Sequence, residues 1–401
     1  MANAGIQDLA GRFKSARVSG LNPGARKSGE TAAQQGADWV LLGAVLILLA
    51  LGLTMVLSSS GVAAQRFYGD QYYFFKKQLM FAALGLLCLC GAYTVPRSML
   101  EKLQYLFLFG CIALLILCLS PAGVSVNGAR RWLNLGFIRI QPMEFCKLAL
   151  VLYLAYFMST KQEIVKTFSR GVIPPFLITG ALCLLLLAQP DFGGALVLAM
   201  LLFFMCLIGG TRLIYLFASG ALALGAAALL VVMEPYRFKR LTSSMDPFAD
   251  PLGSGYQLVQ SLYAIGSGGV SGVGLGAGRQ KLFYLPEAHT DFILSVLAEE
   301  LGLLGMTAVF ILLAIVFWRG LKIALTQTEL RGRLTAFGLT LVLTIPMILN
   351  MAVISGSVPT KGVPMPFFSY GGTSLLASLI GVGLLLNYSR AAGQARGNKN
   401  A

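Results

Sequence analysis

The sequence is poor in charged residues. Only 12% of its 401 residues are Asp, Glu, Lys or Arg, whereas 57% are hydrophobic, and the mean hydropathy is +0.76. A soluble globular domain has about a quarter of its residues charged, and a disordered chain has few apolar ones. The composition therefore excludes both classes and predicts a protein that crosses a membrane many times.

Histidine is nearly absent, and cysteine is found only in apolar surroundings. The single histidine, His289, excludes a two-histidine metal site and a Ser-His-Asp arrangement within the apolar segments. The cysteines lie inside apolar segments without zinc-ligand spacing, so they predict neither a disulfide framework nor a zinc site. The seven are Cys88, Cys90, Cys111, Cys118, Cys146, Cys183 and Cys206.

Acidic residues are outnumbered, since 31 Lys and Arg face 16 Asp and Glu, for a formal net charge of +15. The basic residues are scattered over short loops and tails and form no patch with interleaved aromatics. Membrane topology therefore explains them better than a nucleic-acid partner does, and we predict no nucleic-acid binding. The segment before Asp38 has no short apolar core with a cleavage site, so no removable signal peptide is predicted.

Ten apolar segments reach the roughly 17 residues that a bilayer crossing requires. A backbone in lipid must satisfy its hydrogen bonds internally, and the alternating strands of a barrel are absent. The fold class predicted is therefore an all-α polytopic membrane protein with about ten transmembrane helices. The segments lie near residues 39–58, 78–95, 103–120, 142–158, 171–188, 192–210, 213–233, 292–318, 334–355 and 371–388.

The distribution of Lys and Arg predicts that both termini are cytoplasmic, because basic residues precede the first span and fill the loop after the eighth. The predicted organisation has four parts. These are a basic cytoplasmic tail (1–37), a membrane domain (38–390), a large periplasmic loop within it between spans seven and eight (234–290), and a cytoplasmic tail (391–401).

Several basic residues lie on the predicted outer side, against this bias. Two interpretations stay open: contacts with the surface or lipid head groups, and a site for an external anion such as a diphosphate, which their clustering favours. They are Arg130, Arg131, Arg139, Arg237, Lys239 and Arg240. In the fourth span, Glu144 and Lys147 lie one helical turn apart, so an ion pair and a site role are both open.

The long outer loop has two parts that can be interpreted separately. Apolar residues recur at helical spacing over 256–265, which predicts an amphipathic helix in the membrane interface. The Gly-rich stretch 266–278 lacks the spacing of nucleotide-binding loops and predicts a mobile or tightly turning loop. Such a loop is a candidate lid over a lipid site.

Asp291 ends this loop where the eighth apolar segment begins. A carboxylate there would lie at the boundary where a lipid-linked substrate presents its polar head. It is either a helix-start residue, with Thr290 as N-cap and a dipole stabilisation of about 0.3–1 kcal/mol, or a general base. The dipole lowers the pKa of this carboxyl and partial burial raises it, so the sequence leaves the balance open.

Other ionisable residues near the outer face have more modest interpretations. Glu299 lies about 12 Å along the helix from Asp291, too far to act as a paired carboxylate. Glu299 and Glu300 are predicted to satisfy buried backbone or basic groups. His289 is interpreted as structural, and Asp191, at a tight turn, is predicted to cap the helix that follows while remaining compatible with a site role.

Six ordered motifs, covering roughly residues 38–390, resemble the SEDS family of bacterial shape, elongation, division and sporulation proteins. The basic tail and Pro-Thr-Lys-Gly at 359–362 are more similar to division-type members than to elongation-type members, although Ser244 and Thr373 depart from the usual pattern. The motifs are Val-Asn-Gly-Ala-Arg-Arg-Trp-Leu at 126–133, Gln-Pro-Met-Glu-Phe-Cys-Lys at 141–147, Gln-Pro-Asp-Phe-Gly at 189–193, Asp-Pro-Phe-Ala-Asp-Pro at 246–251, Pro-Glu-Ala-His-Thr-Asp-Phe-Ile at 286–293 and Pro-Phe-Phe-Ser-Tyr-Gly-Gly at 366–372.

The resemblance implies a peptidoglycan glycosyltransferase that polymerises lipid II outside the cytoplasmic membrane during septal wall synthesis, with release of undecaprenyl diphosphate. Asp291 matches the family's essential aspartate and is the predicted base. The implied partners are lipid II, a class B penicillin-binding transpeptidase, other division proteins and membrane lipid, and a divalent cation (Mg²⁺ or Mn²⁺) is a candidate cofactor. The predicted substrate-binding residues are Arg131, Glu144, Lys147, Asp191, Arg237, Lys239, Arg240, Glu287, His289, Lys361 and Ser369.

Two alternative functions remain. A lipid II flippase would use the intramembrane charges along a translocation path, but it should show paired broken helices in two repeated halves, and the sequence has no such repeat. A scaffold that recruits a partner enzyme would use the same charges for helix packing. The gathering of motifs on the predicted outer face favours the polymerase.

Overall fold

The computed structural model describes residues 36–397 except 127, 135, 137, 234, 360 and 361. This part of the chain forms twelve α-helices and one small sheet. The helices are α1 (Trp39–Tyr68), α2 (Tyr73–Thr94), α3 (Arg97–Leu119), α4 (Pro142–Thr160), α5 (Ile173–Ala188, entered through a π-helical turn at Phe168–Val172), α6 (Phe192–Gly209), α7 (Leu213–Val232), α8 (Pro235–Met245), α9 (Tyr256–Gly268), α10 (Ile293–Thr326), α11 (Leu330–Ile354) and α12 (Gly372–Gly397).

The predicted class of helical membrane protein is confirmed. Among the described residues, nine helices are long and apolar enough to cross a bilayer, and α7, with 20 residues, occupies the place of the remaining predicted span. The first tail, 1–37, lies almost wholly outside the described residues. The side of the membrane on which each end lies stays a prediction.

The bundle has a buried centre and a lipid-facing periphery. Helices α4 and α11 bury 78% of their apolar core segments and α12 buries 72%, whereas α2 buries 22% and α3 buries 28%. The central helices contribute most of the hydrophobic core, while the peripheral ones keep an apolar face free for lipid. Residues that are polar on a central helix are therefore surrounded by protein.

A three-stranded antiparallel sheet occupies the predicted loop 121–141. Its strands are β1 (Gly123–Val126), β2 (Ala129–Asn134) and β3 (Arg139–Ile140), in the order β1-β2-β3. Gly123 pairs with Leu133, Leu133 pairs with Ile140, and an irregularity follows Val124. The sheet was not predicted, because strands of two to six residues are too short to give a clear alternating pattern.

Helix α9 confirms the helix predicted over 256–265. It buries Leu258, Val259 and Ala264 and exposes Tyr263, as an amphipathic helix should. The buried face packs mainly on α10. Its place relative to a membrane interface stays a prediction.

Helix α10 is broken at Gly302. This residue has φ +63° and ψ −160°, outside the helical region, so α10 consists of a short helix (residues 293–301) and a long helix (residues 303–326). A side chain here would collide with the backbone of Val270 and Gly272. Only glycine meets both demands at this position.

The Gly-rich stretch satisfies the backbone groups that the break leaves free. Val273 N donates to Glu299 O at 3.0 Å and Gly274 N donates to Glu300 O at 3.0 Å. In the other direction, Leu303 N donates to Gly269 O at 2.9 Å. Left-handed backbone at several glycines allows these turns. The prediction of a tightly turning loop is confirmed for residues 269–278, whereas 266–268 are the last residues of α9.

Candidate active site

A cavity of about 1970 Å³ opens between the end of the outer loop, the sheet and helices α5 to α7. It has a polar part and an apolar part. The polar part is lined by Arg131, Asp191, Arg240, Glu287, His289 and Asp291. The apolar part is lined by Phe176, Leu184, Leu187, Leu196, Leu202, Phe203 and Leu222.

The apolar part is open because α7 stands away from the bundle. Of the described α7 side chains, Leu216 alone is buried, and Leu222 is 76% exposed. A groove with one loosely packed wall can admit a long flexible hydrocarbon chain. None of residues 266–278 lines the cavity, so the structure corrects their interpretation as a lid.

Asp291 lies two residues before α10 and is half-buried at the polar part of the cavity. The residue at the N-cap position is Phe292, and no side chain caps this helix. The Thr290 hydroxyl instead donates to Glu287 Oε2 at 2.7 Å. The interpretation of this segment as a capped helix start with Thr290 as N-cap is therefore wrong, and the Asp291 carboxylate faces the cavity.

The backbone around Asp291 is fixed by two buried side chains. Asn350 Nδ2 donates to Asp291 O at 2.8 Å and to Val363 O at 3.2 Å. Ser369 Oγ donates to Thr290 O at 2.6 Å and accepts from Met365 N at 2.8 Å. Ser369 is only 3% exposed and does not line the cavity, so it supports the Asp291 segment from behind.

The environment of Asp291 answers the question that the sequence left open. The pKa of this carboxyl is raised to about 7, mainly by burial and next by the charge of Glu287. The opposing attraction of Arg131 and Arg240 lowers the pKa by less. A carboxylate with this pKa is half deprotonated at neutral pH and is basic enough to accept a proton.

Arg131 and Asp191 form the opposite wall of the polar part. Arg131, on β2, donates from Nε to Gln189 O at 3.4 Å and from its terminal nitrogen to Pro190 O. Its other terminal nitrogen lies 3.8 Å from Asp191 Oδ1. Asp191 Oδ1 also accepts from Gly194 N at 3.0 Å, which confirms the predicted cap of α6. Burial raises the Asp191 pKa, and Arg131 opposes this.

Glu144 and Lys147 form the ion pair predicted from their spacing. Lys147 Nζ lies 2.7 Å from Glu144 Oε2, and both side chains are at most 4% exposed. Neither residue lines the cavity, and both lie close enough to Asp191 to influence its charge. They were predicted to bind substrate, but the structure places them in the wall behind Asp191.

The predicted cations of the outer loop separate into distinct positions. Arg240, on α8, lines the cavity. Lys239, next to it, is exposed and lies 3.5 Å from Asp250 Oδ2, away from the cavity. The side chain of Arg237 and the residue Lys361 lie outside the described part of the chain, so their placement stays a prediction.

His289 packs in an aromatic cluster at the rim of the cavity. Its ring lies 4.8 Å from that of Phe74 and 5.8 Å from that of Tyr370. Burial lowers the His289 pKa, so the ring is neutral near pH 7. The structural interpretation fits these contacts, although the ring also lines the cavity.

Sequence reasoning missed several residues of the site. Trp132, Lys77 and Tyr370 line the cavity, and Asn350 fixes the backbone of Asp291. Asn350 carried a usable signal, since a polar side chain within an apolar helix usually faces protein and has a role. The aromatic residues carried none, because aromatics are common at the ends of membrane helices.

Among the described residues, no three His, Cys, Asp or Glu side chains are placed to hold a metal ion together. The divalent cation stays a prediction for the substrate-bound protein, in which diphosphate oxygens would supply much of the coordination.

The comparisons with known proteins agree with this architecture. Residues 38–394 match the model of the FtsW/RodA/SpoVE family, described as cell cycle protein. The chain is 41% identical to stage V sporulation protein E of Bacillus subtilis strain 168, covering 90% of the chain and 99% of the relative. It is 44% identical to the probable peptidoglycan glycosyltransferase FtsW of Trichlorobacter lovleyi, covering 88% and 93%.

Solved structures resemble the whole bundle. A chain from a structure described as the structural coordination of polymerization and crosslinking by a peptidoglycan synthase complex superposes with a TM-score of 0.73 at 31% identity, covering 89% of this chain and 98% of that one. The rod shape determining protein RodA of Thermus thermophilus superposes with a TM-score of 0.67 at 30% identity, covering 88% and 97%. From the family match, the relatives and the shared bundle, the chain belongs to the FtsW/RodA/SpoVE family, that is, to the SEDS proteins.

Proposed function

We propose that this chain is a peptidoglycan glycosyltransferase that polymerises lipid II into β-1,4 glycan strands at the outer face of the cytoplasmic membrane. The observation that carries the proposal is the position of Asp291, whose carboxyl has a pKa of about 7 and lines a cavity with both polar and apolar walls. Lipid II has matching parts, a polyprenyl tail and a diphosphate-linked disaccharide. Relatives named as probable peptidoglycan glycosyltransferases support this substrate.

The reaction joins two lipid-linked saccharides. The 4-hydroxyl of one attacks the anomeric carbon of the other, and Asp291 accepts the hydroxyl proton as the new C–O bond forms. The bond from that carbon to the diphosphate oxygen breaks, and its electron pair leaves with the diphosphate. Attack from the face opposite the leaving group inverts the anomeric carbon and gives the β linkage.

The departing diphosphate needs positive charge, and Arg131 and Arg240 line the same cavity as Asp291. Arg131 is held by the carbonyls of Gln189 and Pro190. These bonds fix the guanidinium plane, and its remaining N–H groups can contact phosphate oxygens. A positioned cation stabilises developing negative charge without reorganising during the reaction.

The cellular setting is also a proposal. Division-type relatives are 40–44% identical over most of the chain, and a structural neighbour comes from a peptidoglycan synthase complex. These likenesses support work at the septum beside a class B penicillin-binding transpeptidase and other division proteins. We infer that the transpeptidase crosslinks the strands that this chain makes.

The test is glycan synthesis by the chain reconstituted with its transpeptidase and labelled lipid II. Asp291→Asn keeps the size of the side chain but removes the base, so polymer formation should fall by about 10²–10⁴-fold. Asp70→Asn is the matched control, because Asp70 is an ion-paired carboxylate in the turn after α1 and does not line the cavity.

Equal product from wild type and Asp291→Asn would overturn the proposal. Lipid II flipping in vesicles, measured on the same proteins, separates the transporter alternative. Flipping by wild type without any polymer would favour a flippase. Polymer that depends on Asp291, whether or not flipping occurs, supports the glycosyltransferase.

A further inference from the structure

The short helix (residues 293–301) is separate from the rest of α10. Asp291 lies two residues before its first turn, and every side chain from Ile293 to Glu300 is buried. The break at Gly302 interrupts the continuous run of helical hydrogen bonds to the long helix (residues 303–326). The position of Asp291 therefore depends on what holds the short helix itself.

The last turn of the short helix ends in two buried carboxylates with many partners. Glu299 Oε1 accepts from Arg279 N at 2.7 Å, and Gln280 N also donates to this carboxylate. Glu300 Oε1 lies 2.6 Å from Lys281 Nζ, with exposed side-chain fractions of 0% and 6%. These contacts tie the end of the short helix to the segment that follows the Gly-rich stretch.

A third element completes this anchor. Ser58 Oγ, on α1, donates to Glu300 at 2.7 Å and accepts from Lys281 Nζ at 2.9 Å. Lys281 Nζ also donates to Gly276 O at 2.7 Å. Ser58 lies about 15 Å along α1 from its last residue, at 1.5 Å per residue, so the outer loop reaches deep into the bundle.

Forming a buried ion pair such as Lys281–Glu300 is costly, because both charges lose their hydration. Only short, well-directed contacts between the charges and their hydrogen-bond partners offset that loss. Glu300 lies nine residues beyond Asp291, about 13.5 Å along the axis if the chain were helical throughout, and the Lys281 ammonium is held against Glu300, so both charges lie far from the reacting atoms. Lys281 and Glu300 also do not line the cavity. Any effect on chemistry passes through the chain that joins them to Asp291, which is the short helix on the side of Glu300 and residues 282–290 on the side of Lys281.

We propose that Lys281 and Glu300, with Ser58, are positioning residues that fix the short helix and thereby the place of the Asp291 carboxylate in the cavity. The inference rests on the proposed function, in which Asp291 is the base. Proton transfer requires hydrogen-bonding distance, and a displacement of about 1 Å can lower a rate about 10²-fold. An anchor at the far end of a rigid helix controls such a displacement.

The same helix provides a matched control on the other side of Gly302. Arg319, in the long helix, lies 2.7 Å from Asp38 Oδ2 at the start of α1. In both pairs α10 supplies one partner of an ion pair that includes a buried carboxylate, and α1 is in contact through Asp38 in one case and through Ser58 in the other. Only the Lys281–Glu300 pair holds the short helix, which Asp291 precedes.

The experiment compares Lys281→Met, Glu300→Leu and their double variant with Arg319→Met/Asp38→Asn. The full chain is reconstituted with its transpeptidase, and kcat, the KM for lipid II and thermal stability are measured. Each single variant leaves one buried charge unpaired, so both should lose stability. We expect kcat to fall at least tenfold and KM to change less than threefold, since the cavity walls are intact.

The double variant separates positioning from stability. It removes both charges and should regain stability, because apolar side chains can replace a buried ion pair at little cost. We expect its kcat to stay at least tenfold low, whereas Arg319→Met/Asp38→Asn should keep kcat within threefold of wild type. Recovery of kcat together with stability, or an equal loss of kcat in the control, would overturn the inference. A wild type without polymer would instead overturn the proposed function.

Discussion

The two parts of the cavity are built in opposite ways. Around the polar part, Asn350 and Ser369 fix the Asp291 backbone from behind, and Arg131 is itself fixed by two backbone carbonyls. In the apolar part, one wall is α7, whose described side chains are mostly exposed. The difference indicates that the polar part holds the base to within a fraction of an ångström, as proton transfer requires. The apolar part needs only a compliant apolar surface to accommodate a polyprenyl tail.

The contrast extends to electrostatics. The polar part brings three carboxylates and two guanidinium groups into one partly dehydrated space, where their charges shift the pKa of Asp291. The apolar part has no charge among the described residues that line it along α5, α6 and α7. Substitutions in the polar part should therefore alter kcat and its pH dependence, while substitutions in the apolar part should alter KM.

The largest effect, after loss of Asp291 itself, should come from pH. A general base works only when deprotonated, so with an Asp291 pKa of about 7 the rate should fall about tenfold per unit as pH drops below 7 and level off above it. The check is kcat/KM for polymerisation between pH 5 and 9 in the free enzyme. A rate that is flat across this range contradicts a base with a raised pKa.

Two substitutions sharpen the pH test because the neighbours of Asp291 act in opposite directions. Glu287 raises its pKa and Arg240 lowers it. Glu287→Gln should move the half-maximal pH downward, and Arg240→Met should move it upward. Movement in the same direction for both would mean that the measured profile belongs to another group.

A smaller effect is expected when a hydrogen bond that fixes the Asp291 backbone is removed. Asn350→Ala removes the bonds from Nδ2 to Asp291 O and Val363 O and should lower kcat about tenfold, with little change in KM. Asn350→Asp is the companion variant, because its oxygens cannot donate to these carbonyls unless protonated. Normal kcat in both variants would mean that Asn350 does not hold the base.

The fold was predicted well from the sequence because hydrophobicity averaged over a span is insensitive to local detail. The same averaging hides the break in α10, which depends on the backbone of Gly302 alone. It also hides the loose packing of α7 against the bundle, since an exposed apolar helix and a buried one have the same hydropathy. Tertiary packing decides both features.

The site was predicted in part, because motifs mark residue types and not the direction of side chains. Arg131, Asp191 and Asp291 meet at the cavity as expected. Glu144, Lys147 and Ser369 belong to the same motifs but lie behind the wall, where they hold it together. From sequence, a contact with substrate and a support for such a contact look alike.

The smallest effect should come from a substitution in the apolar part of the cavity. Ala223→Trp places a bulky side chain on the wall of α7 that lines the cavity and should raise the KM for lipid II about fivefold, with kcat changed less than twofold. Stability should stay within about 0.5 kcal/mol, since Ala223 is exposed and its replacement creates no buried clash. Leu229→Trp, exposed on the same helix but not lining the cavity, is the control. A compliant wall that only accommodates a tail cannot displace the base. A loss of kcat in Ala223→Trp comparable to that of Asn350→Ala would therefore show that the two parts of the cavity are mechanically coupled.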